Sequence, residues 1–243
     1  MSSERVRWPS ALLIAAILLE WGWHSLGFWA WGLPDPWPPF YFAQDIRAQV
    51  VDETGQPLKD VIVTANWQIQ VQAEGYPLRQ IAVMETVTDE EGRFAFPWWG
   101  PRLHWPFNGV LYSSAPQLIL FKRGYKPALL TNELFHPNFG MFRKSDWNGQ
   151  TIRLAAFHGD DEAYAKVLGA LDGGLEFVAF LPHSCDWRYI PRMLVAIGAE
   201  AQTLRNHQLD IGHYGLHTID DRAREVDVAK CGSMPETLRR YLP

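Results

Sequence analysis

The stretch 46–97 constrains the fold of this chain more than any other. It reads IRAQVVDETGQPLKDVIVTANW and, further on, ETVTDEEGRFAFP. In Ile46-Arg47-Ala48-Gln49-Val50 apolar and polar side chains alternate, so a strand here buries one face and wets the other. At Thr54-Gly55-Gln56-Pro57, Gly55 supplies positive φ and Pro57 a fixed one, which is turn chemistry. Val61, Val63 and Ala65 then share one face of a second strand, with Thr64 and Asn66 on the other. After a loop at Gly75-Tyr76-Pro77, Ile81 and Val83 mark another strand. In Asp89-Glu90-Glu91-Gly92 the Asp89 carboxylate can accept from nearby N–H groups while Gly92 takes the left-handed conformation. Phe94 and Phe96 alternate again and Pro97 ends that strand. The unbroken apolar run 118–121 is closed by Gly124-Tyr125-Lys126-Pro127, and 151–154 reads as a last strand. The expected fold class is mainly β, a small antiparallel β-sandwich.

Three segments in that order, VVDETGQPLKDVIV, TVTDEEGRFAFP and LFKRGYKP, carry a resemblance. They are similar to the carboxypeptidase regulatory-like domain, a transthyretin-like sandwich, and the matching region is 46–157. The resemblance implies about seven strands and usually no chemistry of its own. In metallocarboxypeptidases such a domain accompanies a separate catalytic domain, and none is visible here. Two long insertions, 98–117 and 131–150, depart from a minimal family member.

The N-terminal segment 1–33 carries the second signal. Arg5 and Arg7 precede the apolar run 11–19, the layout of a signal sequence. No small-x-small cleavage site follows, because Glu20, Trp21, Trp23 and His24 occupy that neighbourhood, and apolar character resumes through Leu26, Phe28, Trp29 and Trp31. As a helix, 8–29 would be about 32 Å long, enough to cross a hydrocarbon core, with Trp8 at one interface and Trp29 and Trp31 at the other. Glu20 opposes this at about 2.5–3.5 kcal/mol, which the leucines and isoleucines around it offset. The expectation is an uncleaved signal anchor, with a cleaved peptide as the alternative. It implies a single-pass protein of a bacterial inner membrane with its bulk in the periplasm. The Pro-rich stretch 34–45 reads as a stiff extended spacer, its Phe40, Tyr41 and Phe42 lying on a membrane surface or packing on the sandwich.

The region 158–243 changes character. Ala163, Val167, Leu168 and Leu171 follow helical spacing up to Gly173-Gly174, where the helix is expected to stop. Ile190, Leu194, Ile197, Ala201 and Leu204 form a second amphipathic helix with Pro191 in its first turn, and Ser233-Met234-Pro235-Glu236 opens a short terminal one. A helical C-terminal extension packed on the sandwich is expected. Cys185 and Cys231, the only two cysteines, would form a disulfide worth about 4 kcal/mol in an exported region, and remain two free thiols in a reducing one.

Chemistry is sparse. A net charge of −5 gives no basic face for nucleic acid. The motifs G-x-S-x-G, G-x-G-x-x-G, P-loop and C-x-x-C are absent. His213 and His217 sit four apart, a helical metal-ligand spacing, but Gly212 and Gly215 argue against a regular helix, so they are weak candidates. His183-Ser184-Cys185 is adjacent in sequence, whereas catalytic sets assemble from distant positions. The chain has twelve tryptophans. Of these, Trp98, Trp99 and Trp105, with Arg102 and His104, lie in the first insertion and form the candidate surface for a partner or a sugar ring. The leading expectation is a membrane-anchored, extracytoplasmic interaction module with an envelope protein partner, no cofactor and no catalysis. A carbohydrate- or small-ligand-binding module comes second and a metal-dependent enzyme third.

Overall fold

The computed structural model describes residues 40–71, 75–104, 109–133, 141–182 and 184–242. Among them the strands are β1 (Phe40–Ala43), β2 (Ile46–Val51), β3 (Ile62–Gln70), β4 (Pro77–Val87), β5 (Arg93–Phe96), β6 (Trp99–Leu103), β7 (Val110–Leu111), β8 (Gln117–Phe121), β9 (Ala128–Leu130), β10 (Phe142–Arg143) and β11 (Thr151–Arg153). Five α-helices follow: α1 (Asp161–Ala179), α2 (Pro191–Asn206), α3 (Ile219–Glu225), α4 (Val228–Cys231) and α5 (Met234–Leu238). The protein is therefore mainly sheet with a helical C-terminal part.

Three sheets form, ordered β11-β2-β5, β4-β3-β8-β9 with β7 also on β3, and β10-β1-β6. The turns behave as the sequence predicts. Asp89 Oδ1 accepts from Glu91 N at 3.1 Å and Arg93 N at 2.7 Å. Gly92 has φ +69°, and a Cβ there would stand 2.3 Å from the Val50 carbonyl oxygen, so only glycine fits. Pairing is not uniformly antiparallel, however. β11 runs parallel to β2 and β10 parallel to β1.

Alternation along the strands fills a core between the first two sheets: Ile46, Ala48 and Val50 from β2, Val63, Ala65, Trp67 and Ile69 from β3, Phe94 and Phe96 from β5, Leu118 and Leu120 from β8. The intervening residues of β8, Ile119 and Phe121, join a second core with Val83 and the helices. β8 is thus apolar on both faces because both are covered, which is why its sequence is a continuous run rather than an alternation. The same cover reaches the second face of β3. Thr64 and Asn66 are 0% and 2% exposed beneath the helical layer, and Gln68 and Gln80 each donate to the Phe177 carbonyl of α1, at 2.9 and 2.6 Å.

The helical layer departs from expectation at one point. α1 does not stop at Gly173-Gly174 but continues to Ala179. Two internal glycines cost about 1 kcal/mol each. Leu175 and Val178 beyond them are fully buried, and each such side chain contributes about 1.5–3 kcal/mol, so burial wins. α2 begins at Pro191 as predicted, but its N-cap residue Ile190 offers no side-chain acceptor. Glu85 of β4 supplies one across the layer boundary, with Oε2 accepting from Arg192 N at 3.0 Å and Oε1 from Met193 N at 2.8 Å. Ser233 caps α5 by accepting from Glu236 N, and Cys185 and Cys231 form the expected disulfide, with Cα atoms 5.4 Å apart.

The membrane placement requires correction. Among the described residues no helix is long and apolar enough to cross a membrane. The longest, α1, has only 19 residues and includes Asp161, Glu162, Lys166, Asp172 and Glu176, whereas a span needs about 20 predominantly apolar residues. The single-pass inner-membrane assignment is therefore withdrawn. The segment on which it was read, with Trp8, Glu20, Trp29 and Trp31, lies outside the described residues. Part of the expected spacer is a strand, β1, and Tyr41 within it is 1% exposed in the sandwich core.

Candidate functional site

The predicted aromatic cluster is dispersed by the geometry of β6. Trp99 pairs with Ala43 of β1 and turns inward, 5% exposed, edge-on to Trp67 with ring centroids 5.4 Å apart. The Arg102 guanidinium lies 5.1 Å from the Trp99 ring and donates to the Ile81 carbonyl. His104 is fully buried. Its Nδ1 accepts from Arg79 Nη2 at 2.5 Å and its Nε2–H donates to the Gly109 carbonyl at 2.7 Å. Burial first, and then the Arg79 charge, hold His104 below the usual imidazole range, in keeping with a neutral ring. Trp99 and His104 are thus structural rather than surface residues, because the strand they flank buries one of its faces. Of the described tryptophans in the cluster Trp98 is the open one, at 62% exposure, Arg102 is also exposed, and Trp105 lies outside the described residues.

An apolar surface that the sequence did not single out lies beside them. In β1, Tyr41 and Ala43 point into the core while Phe40 and Phe42 alternate outward. Phe40 stands opposite Leu103 of β6, and Phe42 opposite Phe142 of β10, whose ring it stacks on at 5.0 Å. These four side chains share the outer face of the three-stranded sheet, with Phe40 37% and Leu103 66% exposed. The inner face is fixed by Arg143, which is 4% exposed, donates from Nη2 to the Leu111 carbonyl at 3.0 Å and lies 5.7 Å from the Tyr41 ring. Burial pulls the Arg143 pKa down to about 10. The outer face is consequently an apolar platform on an anchored sheet.

The candidate metal histidines do not converge. His213 meets Tyr214 edge-on in a 3₁₀ turn closed by Gly215 at φ +69°. His217 instead donates from its backbone N and from Nδ1 to Asp172 Oδ2, both at 3.0 Å. Asp172 also holds Arg222, Nη2 to Oδ1 at 3.0 Å, and Arg222 reaches Glu176 and Glu225 and stacks 4.3 Å from the Phe180 ring. The neighbouring cavity is about 10 Å³, room for one water at most. This buried network ties α1 to α3. Among the described residues no group of three or more His, Cys, Asp or Glu is placed to hold a metal ion. Cys185, being paired, offers no nucleophile.

A larger cleft of about 230 Å³ opens where the turn after β8 meets the start of α1 and the second half of α2. Glu200 lies at its base, 7% exposed, and takes one ion pair, from Arg123 Nε at 3.1 Å, whose side chain is 73% exposed. The Phe157 and Tyr164 rings form one wall, with centroids 4.9 Å apart. The Tyr164 hydroxyl adjoins Glu200 without a hydrogen bond of ordinary geometry. Burial, then the Glu200 charge, push Tyr164 up to about 12, while burial raises Glu200 against the pull of Arg123 and of the Tyr164 hydroxyl. His207 Nδ1 meets Asp161 at 2.6 Å on the rim. No local motif announces this cleft, since its members come from residues 123 to 207.

No family model matches the chain, and no curated protein matches it. Among solved structures, 3-chlorocatechol 1,2-dioxygenase from Rhodococcus opacus 1CP is 19% identical over 48% of this chain and 60% of that one, at a TM-score of 0.29. Catechol 1,2-dioxygenase from Pseudomonas arvilla C-1 is 13% identical over 51% of this chain and 55% of that one, at 0.30. A streptococcal ancillary pilin is 13% identical over 50% of this chain and 30% of that one, at 0.26. This chain thus spans less than two thirds of each, and likenesses of this size carry no argument about its chemistry.

Proposed function

We propose that this chain is a non-catalytic interaction module with a structural or assembly role, built on a sandwich of the carboxypeptidase regulatory-like, transthyretin-like type. The strand count supports the sandwich type. With the insertion strands β6, β7 and β10 and the preceding β1 set aside, the sheets β11-β2-β5 and β4-β3-β8-β9 remain. The observation that carries the binding role is the uncovered apolar face of Phe40, Phe42, Leu103 and Phe142. Single exposed apolar residues are ordinary, but a contiguous set on one sheet face favours a partner surface. Its chemistry selects a protein with a complementary apolar patch.

The test is a photo-crosslinking amino acid at position 103 in the native host, with the same group at Glu90 in the far turn as control. One dominant adduct from 103, absent from 90 and lost in a Phe40→Asp background, is expected. Equal labelling from both positions would rule out this face as the contact. Carbohydrate binding stands as the second reading on Trp98 alone, because its exposed ring can stack on a sugar.

A further inference from the structure

We infer that the cleft at Glu200 binds a small organic cation, its ammonium head seated between the Glu200 carboxylate and the rings of Phe157 and Tyr164. The carboxylate is the first ground. Glu200 is almost wholly buried, yet its one charged partner among the described residues, Arg123, reaches it from a largely exposed position. A buried carboxylate has about four lone-pair directions to satisfy, and an ion pair with a solvent-screened side chain is worth little. With Arg123 and the Tyr164 hydroxyl as its donors, Glu200 keeps lone-pair directions open to a ligand.

The second ground is the aromatic wall. Phe157 and Tyr164, tilted 44° to one another with centroids 4.9 Å apart, both line the cleft that holds Glu200. Ring faces attract cations, most strongly where the charge is desolvated. The third is charge balance, since Asp160, Asp161 and Glu200 line the cleft against Arg123 and His207. Asp160 caps α1 by accepting from Ala163 N, and Asp161 holds His207. Glu200 is the buried acid of the three, its cation Arg123 reaches it from solvent, and the excess of acids disfavours an anion. The volume admits a small amine rather than a drug-sized molecule. Arg123 then acts as a built-in competitor, its guanidinium occupying Glu200 Oε1 until a ligand cation displaces it. None of these observations involves the apolar sheet face, so this inference and the proposed partner surface stand or fall separately.

The experiment is calorimetric titration of the full chain with ethylammonium chloride and with tetramethylammonium chloride, against sodium chloride at matched ionic strength. Saturable binding of at least one amine is expected. Glu200→Gln, which keeps the shape and removes the charge, should weaken it tenfold or more. Arg123→Gln should tighten it several-fold, since it removes the competing cation from an exposed site and leaves the core untouched. That tightening separates a ligand site from a merely structural ion pair. The absence of saturable heat in both the wild type and Arg123→Gln would overturn the inference. So would weaker binding in Arg123→Gln, or unchanged binding in Glu200→Gln.

Discussion

The five-stranded sheet, β4-β3-β8-β9 with β7 on β3, and the three-stranded β10-β1-β6 sheet both present apolar side chains on the face turned away from the sandwich core, but among the described residues only the first is covered. Ile119 and Phe121 are sealed beneath α1 and α2 and are 0% and 2% exposed. Phe40 and Leu103 stay open to solvent. The difference shows what an apolar sheet face needs in order to be structural. The covered face is met by an amphipathic layer that also satisfies its polar groups, with Gln68 and Gln80 on the Phe177 carbonyl and Glu85 on the first N–H groups of α2. No such polar matching surrounds the open face among the described residues. It is the face proposed above as a partner surface.

The comparison can be broken most forcefully on the covered side. Phe121→Ala should cost about 3–5 kcal/mol in chemical denaturation, the range for emptying a filled aromatic site. Hydrogen exchange should show α1 and α2 losing protection before the β2–β5 ladder does. A cost below about 1 kcal/mol would mean that the helical layer rests only loosely on the sheet.

Glu85 offers a smaller and sharper test. Burial pushes its pKa up to about 7, against the pull of the Met193 and Arg192 N–H groups and the Arg192 charge. A carboxyl whose pKa is raised on folding binds its proton more tightly in the folded chain. Its contribution to stability is therefore complete below the ordinary value of 4.5 and is lost as pH rises through about 7. Glu85→Gln should flatten the change in stability between pH 5 and pH 8, measured by urea denaturation at both. It should cost about 0.5–2 kcal/mol at pH 5, the value of a helix cap. An unaltered pH slope would show that Glu85 does not titrate in this window.

The smallest effect belongs to the open side. Leu103→Ser should change stability by no more than about 0.5 kcal/mol, because most of that side chain is already in water, and Phe40→Ser, which removes a partly covered ring, by more than that but less than Phe121→Ala. Thermal melts of both variants check this, and a loss comparable to that of Phe121→Ala would mean that the face is part of the core.

What could be read in the sequence divides along the same line. β2, β5 and β8 were legible because period-2 alternation, or its absence, directly reports which faces are buried. The turn at Gly92 was legible because its Asp89 acceptor lies three residues away. Phe40 and Phe42 were hidden in a Pro-rich stretch whose composition argues against regular structure, and only their pairing with β6 and β10 makes them a strand. Trp99 and His104 misled because an aromatic in an insertion reads the same whether its strand turns in or out. The continuation of α1 past Gly173-Gly174 was decided by tertiary burial, which overrides local propensity. The Glu200 cleft and the Glu85 cap were invisible for a common reason, since each joins groups from widely separated positions that local periodicity cannot pair.

The cap on α2 has a further consequence. A helix normally opens on a residue of its own segment, but this one opens on a carboxylate 106 residues earlier in the chain, counted from Glu85 to Pro191. Cut free from the sheet, the same sixteen residues would have no acceptor for their first N–H groups and would fray from that end. The sandwich thus works as a template that sets where α2 starts. The two layers cannot be treated as separable parts, and an isolated C-terminal fragment would be expected to lose helix first at Pro191.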